Sequence, residues 1–141
     1  MNLINKGKIV VCIPAFNESK TIGEVITRAK KYADDIIVYD DGSTDNTTEL
    51  AKAAGAVVFR HPVNKGYGAA IKALFHIARE KEGIDIIVTM DSDGQHDPDQ
   101  IPTVVKPIQD SDSDIVIGSR FLSYGNKEKL PSSRSVGIKA I

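Results

Sequence analysis

The stretch "TMDSDGQHDP", residues 89–98, ends an apolar run from Ile84 to Met90 in two carboxylates, Asp91 and Asp93, with Asp97 close behind. Like charges this close raise each other's energy unless a cation lies between them. Residues i and i+2 share one face of a strand, and at a turn just past its end both side chains can reach one ion. Hard oxygen ligands suit Mg2+ or Mn2+, which keep some water and accept substrate phosphates as further ligands. The blander alternative is a solvated acidic turn that caps the following helix, and for an isolated D-x-D it is the commoner outcome. The stretch is not an EF-hand loop, because Gly94 comes too early.

Other apolar runs also end in polar chemistry. "IPAFNE" brings a stiff Pro14, an aromatic Phe16 able to line a base, and an acid, Glu18; Phe16 reads equally as a core residue. "VYDDGSTDNT" puts Asp40 and Asp41 at the exit of a buried run, where a carboxylate can accept the ring N–H of a base such as uracil or guanine. Ser43, Thr44 and Asp45 are ordinary turn and N-cap residues. In "NKGYGAA", Lys65 is a solvated charge and Gly66 and Gly68 a flexible helix entry, or the loop is one whose backbone approaches a sugar or phosphate closely. Arg120 follows a strand end directly and Arg134 lies further on; arginine pairs well with a diphosphate and stabilises negative charge on a leaving group. His61 and His76 read as structural, and His96 as a hydrogen-bonding neighbour of the acids. No G-x-G-x-x-G follows the first strand, so the dinucleotide fingerprint is absent.

The elements that must position these groups alternate along the chain. Strands are expected at 8–13, 35–40, 56–60, 84–90 and 114–118. Ile22, Val25, Ile26 and Ala29 form one helical face, with Thr21 and Glu24 as a capping box. A second helix is expected after an N-cap at Ser43 or Thr44, with Leu50, Ala51 and Ala54 inward and Gly55 as its stop. Ile71, Leu74, Phe75 and Ala78 mark a third helix ending at Gly83, and Ile101, Val104, Val105 and Ile108 a short fourth. This alternation predicts an α/β fold, a three-layer αβα sandwich around a mainly parallel sheet. In such sheets ligands bind beyond the carboxyl ends of the strands, where the polar motifs would converge.

The 141 residues are enough for one domain with a real core. A net charge of −1 gives no electrostatic reason to expect a nucleic-acid partner. Cys12, the single cysteine, lies in an apolar run and reads as core. No apolar run approaches a bilayer span, and the N-terminus lacks a signal-peptide pattern, so a cytoplasmic protein is expected. The polar "SRFLSYGNKEKLPSSRS" followed by "VGIKAI" suggests the N-terminal part of a longer protein, with 119–141 opening its acceptor side.

Taken in order, "IPAFNE", "YDDGSTDNT", "NKGYGAA", "MDSDGQHDP" and "GSRF" resemble the family 2 nucleotide-sugar glycosyltransferases of the GT-A fold, and most of all their polyprenyl-phosphate (dolichyl-phosphate) hexosyltransferases. The resemblance runs from about residue 9 to 139; Asp97 stands where those enzymes often have proline. It implies that a UDP- or GDP-sugar donor is held by Pro14, Ala15, Phe16, Glu18, Lys65, Gly66, Asp91 and Ser92, with Asp41, or in second place Asp40, reading the base. It implies a Mg2+ or Mn2+ ion on Asp91, Asp93 and Gln95, and makes Asp93, Arg120 and Arg134 the catalytic set, the arginines steadying donor and acceptor phosphates. A polyprenyl phosphate acceptor, met at the cytoplasmic face of a membrane, is already anionic and needs little general base. An inverting single displacement follows.

Two other enzyme classes fit less well. A sugar-1-phosphate nucleotidyltransferase would carry a Gly- and Arg-rich loop after the first strand, and "PAFNESK" has neither. A glycosidase needs carboxylates flanking a sugar, whereas D-x-D crowds them on one side. A domain that binds a nucleotide-sugar without transferring it also fits the motifs.

Overall fold

A computed structural model describes residues 7–119. Four parallel strands, β1 (Ile9–Ala15), β2 (Asp35–Asp40), β3 (Val57–Arg60) and β4 (Ile86–Thr89), form one sheet in the order β3-β2-β1-β4. Cys12 sits at its centre, in register with Ile37 on one side and Thr89 on the other. Around the sheet lie α1 (Ile22–Ala29), α2 (Thr47–Ala53), α3 (Tyr67–Glu80) and α4 (Ile101–Gln109), the last entered through a 3-10 turn at Pro98–Gln100.

Strand alternation sorts the core into two faces. Val11, Ile13 and Ala15 of β1 point into a cluster with Ile22, Val25, Ile26 and Ala29 of α1, Ala51 of α2, and Ile101 and Val105 of α4. Val10 and Cys12 point the other way, against Ile37 and against Leu74 and Ala78 of α3. The expected three layers and mainly parallel sheet are therefore present. The thiol of Cys12 is buried, and its desolvation pushes the pKa up to about 11, as befits a small core residue.

Several local expectations give way to longer-range contacts. Residues 114–118 form no strand: they make no ladder with β4, and Ile115 and Ile117 are exposed. The capping box at Thr21 and Glu24 does not form; the Thr21 hydroxyl is aimed instead at the loop after β4, donating to the backbone carbonyl of Ser92 at 2.7 Å. The second helix starts at Thr47 with Asn46 at its N-cap, not at Ser43 or Thr44, and its buried face is Thr47, Thr48 and Ala51. Leu50 and Phe75, expected inside, are 40% and 47% exposed.

This difference can be measured. Leu74→Ala should lower unfolding free energy by about 2–5 kcal/mol, because Leu74 is fully enclosed in the α3 face of the core. Phe75→Ala should cost no more than about 1 kcal/mol, as a half-exposed side chain leaves little cavity behind. Urea unfolding of both variants checks the pair.

Candidate active site

In the order β3-β2-β1-β4 the connections leave β1 toward β2 on one side and return to β4 on the other. The carboxyl ends of β1 and β4 therefore flank the switch point, where open α/β sheets form their binding crevice. The two tips are tied together: Ser92, 5% exposed, donates its hydroxyl to the Pro14 carbonyl at 3.0 Å. That bond uses the Ser92 hydroxyl proton to hold the frame, a role beside the donor contact that the sequence suggests.

Past β1 the chain is sewn to the loop after β2. Asn17, held at φ +55°, donates its amide to Ser43 Oγ at 2.8 Å, and its side-chain oxygen accepts the Thr44 amide at 2.8 Å. The Glu18 amide donates to Thr47 Oγ1 at 2.8 Å and the Ser19 amide to Asp45 Oδ2 at 3.2 Å. Residues of two motifs that read as independent turns thus form one double loop, a role that the sequence reading gave to none of them. Its scaffolding leaves Phe16 exposed beside the tip of β1 instead of in the core, while Pro14 and Ala15 are buried.

Asp40 and Asp41 point to different tasks. Asp40 is fully buried and accepts the Ser43 amide at 2.8 Å and the Thr48 hydroxyl, with Arg60 Nη1 at 3.6 Å. It closes the turn after β2, and with no exposed oxygen it does not reach a base, contrary to its place as second choice for that role. Asp41 accepts the amides of Lys65 at 3.0 Å and Gly66 at 2.7 Å and the Nδ1–H of His61 at 2.6 Å. His61, read as a mere turn residue, is thereby fixed in one tautomer. Burial works against the charge on Asp41, but the donors from His61, Lys65 and Gly66 outweigh it and hold the carboxyl below its ordinary range. The loop it organises lies so close that a Cβ on Gly42 would meet the Val63 carbonyl carbon at 2.5 Å, and Gly42 takes φ +78°.

At the tip of β4, Asp91 donates its amide to His96 Nδ1 at 3.0 Å, so the proton of that ring sits on Nε2, 3.5 Å from Asp91 Oδ2. Tyr67, at the start of α3, donates its hydroxyl to Asp91 Oδ1 at 3.2 Å, bringing the glycine-rich loop to the acids. Among the described residues Asp93 accepts only the Gln95 amide, at 2.9 Å, across the turn at Gly94. Among the described residues neither carboxylate is ion-paired with a lysine or arginine. Asp97 and Asp99 nearby are both paired with Arg28. Among the described residues, no group of three or more His, Cys, Asp or Glu side chains gathers to hold a metal. Asp91 and Asp93 suit a hard divalent ion that draws its remaining ligands from water and phosphate. Arg120 and Arg134 lie outside the described residues.

The site's carboxylates also set its acid limit. Hydrogen bonding from Thr47, opposed by burial and helped by Ser19, pulls the Asp45 pKa down to about 2. Asp41 and Asp99 are lowered too. An acid whose folded pKa is depressed stabilises the fold fully above its ordinary value and loses that contribution as pH falls through the folded one. The melting temperature should therefore hold steady down to about pH 4 and then fall steeply toward pH 2. Asp45→Asn should flatten part of that fall in a thermal-melt series.

The sequence profile described as Glycosyl transferase family 2 matches residues 10–138. The UDP-N-acetylglucosamine–dolichyl-phosphate N-acetylglucosaminyltransferase of Methanococcus voltae is 35% identical over 147 residues, covering 92% of this chain and 58% of the relative. The dolichol-phosphate mannosyltransferase of Pyrococcus furiosus is 34% identical over 137 residues, covering 92% of this chain and 38% of the relative. Glucosyl-3-phosphoglycerate synthase from Mycobacterium tuberculosis, crystallised with Mn2+, UDP-glucose and phosphoglyceric acid, superposes with a TM-score of 0.59 at 33% identity, over 73% of this chain and 39% of that one. The chain thus spans from under two-fifths to under three-fifths of the length of these proteins.

Proposed function

Because the chain belongs to glycosyl transferase family 2 and has the GT-A fold, we infer that it carries the donor site of an enzyme that moves a hexose from a UDP- or GDP-sugar to a polyprenyl phosphate. One observation carries the reading: Asp91 and Asp93 stand at the switch point of the sheet without a lysine or arginine partner among the described residues. Relatives named for transfer to dolichyl phosphate support the acceptor class. The neighbour crystallised with Mn2+ and UDP-glucose supports a divalent ion with a nucleotide-sugar.

In this reading Asp91, Asp93 and Gln95 hold Mg2+ or Mn2+, which when bound offsets the charge of the donor diphosphate. Phe16 covers one face of the base, and Pro14, Ala15 and Glu18 shape the wall beside it. Asp41 frames the base from the other side through the 61–66 loop; reading it directly requires that loop to release a donor. Lys65 and Gly66 approach the diphosphate, and Arg120 and Arg134 steady the phosphates of donor and acceptor.

The acceptor phosphate oxygen forms a bond to the anomeric carbon as the bond from that carbon to the diphosphate breaks, with the electron pair leaving on the nucleoside diphosphate. Attack opposite the departing group inverts the anomeric centre. The acceptor oxygen is anionic at neutral pH, so no protein group has to remove a proton. Among the described residues no helix is long and apolar enough to cross a membrane.

Thermal shift with UDP and GDP, each with and without Mn2+, tests the donor site. Stabilisation by a nucleotide that depends on the metal is expected, and its absence with both nucleotides would count against the reading. Product from a labelled donor and a polyprenyl phosphate separates a transferase from a binder.

A further inference from the structure

The loop that bears Asp91 and Asp93 is gripped at both ends by α1. At its start the Thr21 hydroxyl donates to the Ser92 carbonyl at 2.7 Å. At its end Arg28 reaches across from the last turn of α1 to Asp97 and, at 2.7 Å, to Asp99 Oδ2. Tyr32, just past α1, donates its hydroxyl to Asp99 Oδ1 at 3.0 Å, and Asp97 Oδ1 accepts the Asp99 amide at 3.2 Å. Between these two anchors hang only Asp93, Gly94, Gln95 and His96.

Four acids fall between residues 91 and 99, and the Arg28 guanidinium pairs with two of them. Both bonds come from Nη2, which donates to one oxygen of each carboxylate. The clasp therefore does two things. It fixes where the short turn ends, and it engages Asp97 and Asp99, leaving Asp91 and Asp93 as the two acids of the stretch without a lysine or arginine partner among the described residues.

We propose that Arg28, together with Asp97 and Asp99, is a positioning residue for the metal-binding loop: it touches neither donor nor metal and acts by holding Asp93 where the ion is bound. This also gives work to Asp97, the position at which the chain departs from the proline of the family pattern. The inference rests on the metal assignment made above.

The test compares the wild-type chain with Arg28→Gln, and with Asp99→Asn in case the first variant folds poorly. Amide hydrogen exchange of residues 92–97, read without any ligand, should speed up several-fold in Arg28→Gln while β1 and β2 stay protected. UDP or GDP affinity in the presence of Mn2+ should fall about tenfold, and the affinity without metal should stay within about twofold. Asp99→Asn should move both readings in the same direction by less. If the wild type shows metal-dependent binding and the variants keep it unchanged, this inference alone is overturned. A fall with and without metal that tracks the melting temperature reduces Arg28 to a structural residue and overturns it too. If the wild type shows no metal effect, the metal site and this inference fall together.

Discussion

Asp93→Ala should abolish the metal-dependent part of nucleotide binding and leave the remainder intact. The Asp93 carboxylate accepts one backbone amide, from Gln95, and among the described residues it has no cationic partner, so little of the fold depends on it. Its removal takes away one of the two carboxylates assigned to a divalent ion there, and an ion held by so few protein ligands depends on each of them. Nucleotide affinity with Mn2+ should drop on the order of 100-fold, about 2.7 kcal/mol, to the metal-free level. Calorimetric titration with UDP and GDP, with Mn2+ and with chelator, reads both numbers, and the melting temperature of the unliganded variant should barely move. Affinity with Mn2+ equal to that of the wild type would remove Asp93 from the metal site. Glu82→Ala is the control for bulk charge: it deletes an equal charge at an exposed position between α3 and β4, away from the strand tips.

What the sequence disclosed and what it withheld divide along a physical line. Ile22, Val25, Ile26 and Ala29 were legible because the face that α1 lays on the sheet is wholly apolar, and its polar bonds, from Thr21 to Ser92 and from Arg28 to Asp97 and Asp99, lie at its two ends. The face of α2 was misread because its inward residues are threonines. Thr47 and Thr48 are buried by their bonds to Asp45, Glu18 and Asp40, and these bonds turn Leu50 outward. Apolar periodicity has no way to register a helix oriented by its hydroxyls. Phe75 failed for another reason: the buried stripe of α3 is the narrow row Ala70, Leu74 and Ala78, and Phe75 stands beside it. The run at 114–118 is apolar enough for a strand, but a strand exists only through a neighbour, and pairing is not written in the run itself.

The site divides in the same way. That polar motifs cluster at the strand ends was readable from their order, since parallel sheets gather those ends along one edge. That Ser92 would be spent on the Pro14 carbonyl, and Asp40 on the Ser43 amide, was not readable, because short polar residues at turns look alike whether they face a ligand or the backbone. The doubled acid at the end of β2 is the instructive case. Each aspartate satisfies a different loop, and the distinction lies in hydrogen-bond partners that are 3 and 8 residues away for one and 20 to 25 away for the other.

Asp41→Ala should therefore damage stability and donor binding together, unlike Asp93→Ala. The lost carboxylate leaves the Lys65 and Gly66 amides and the His61 ring without their acceptor, in a place where Asp41 is 3% exposed. Donors stranded in this way cost about 3–5 kcal/mol in all. Asp41→Asn should recover only a little, because one of its two groups is a donor facing other donors. The pH dependence identifies the cause. The Asp41 carboxyl is held below its ordinary value, so its contribution is complete above about pH 4 and vanishes as the wild type protonates below it. The stability gap between wild type and Asp41→Ala should be widest at pH 7 and should close as urea unfolding is repeated toward pH 2.5. A gap that stays constant with pH would mean that packing around Asp41, and not its charge, shapes the loop. In that case the nucleotide wall opposite Phe16 would have to be sought in other residues.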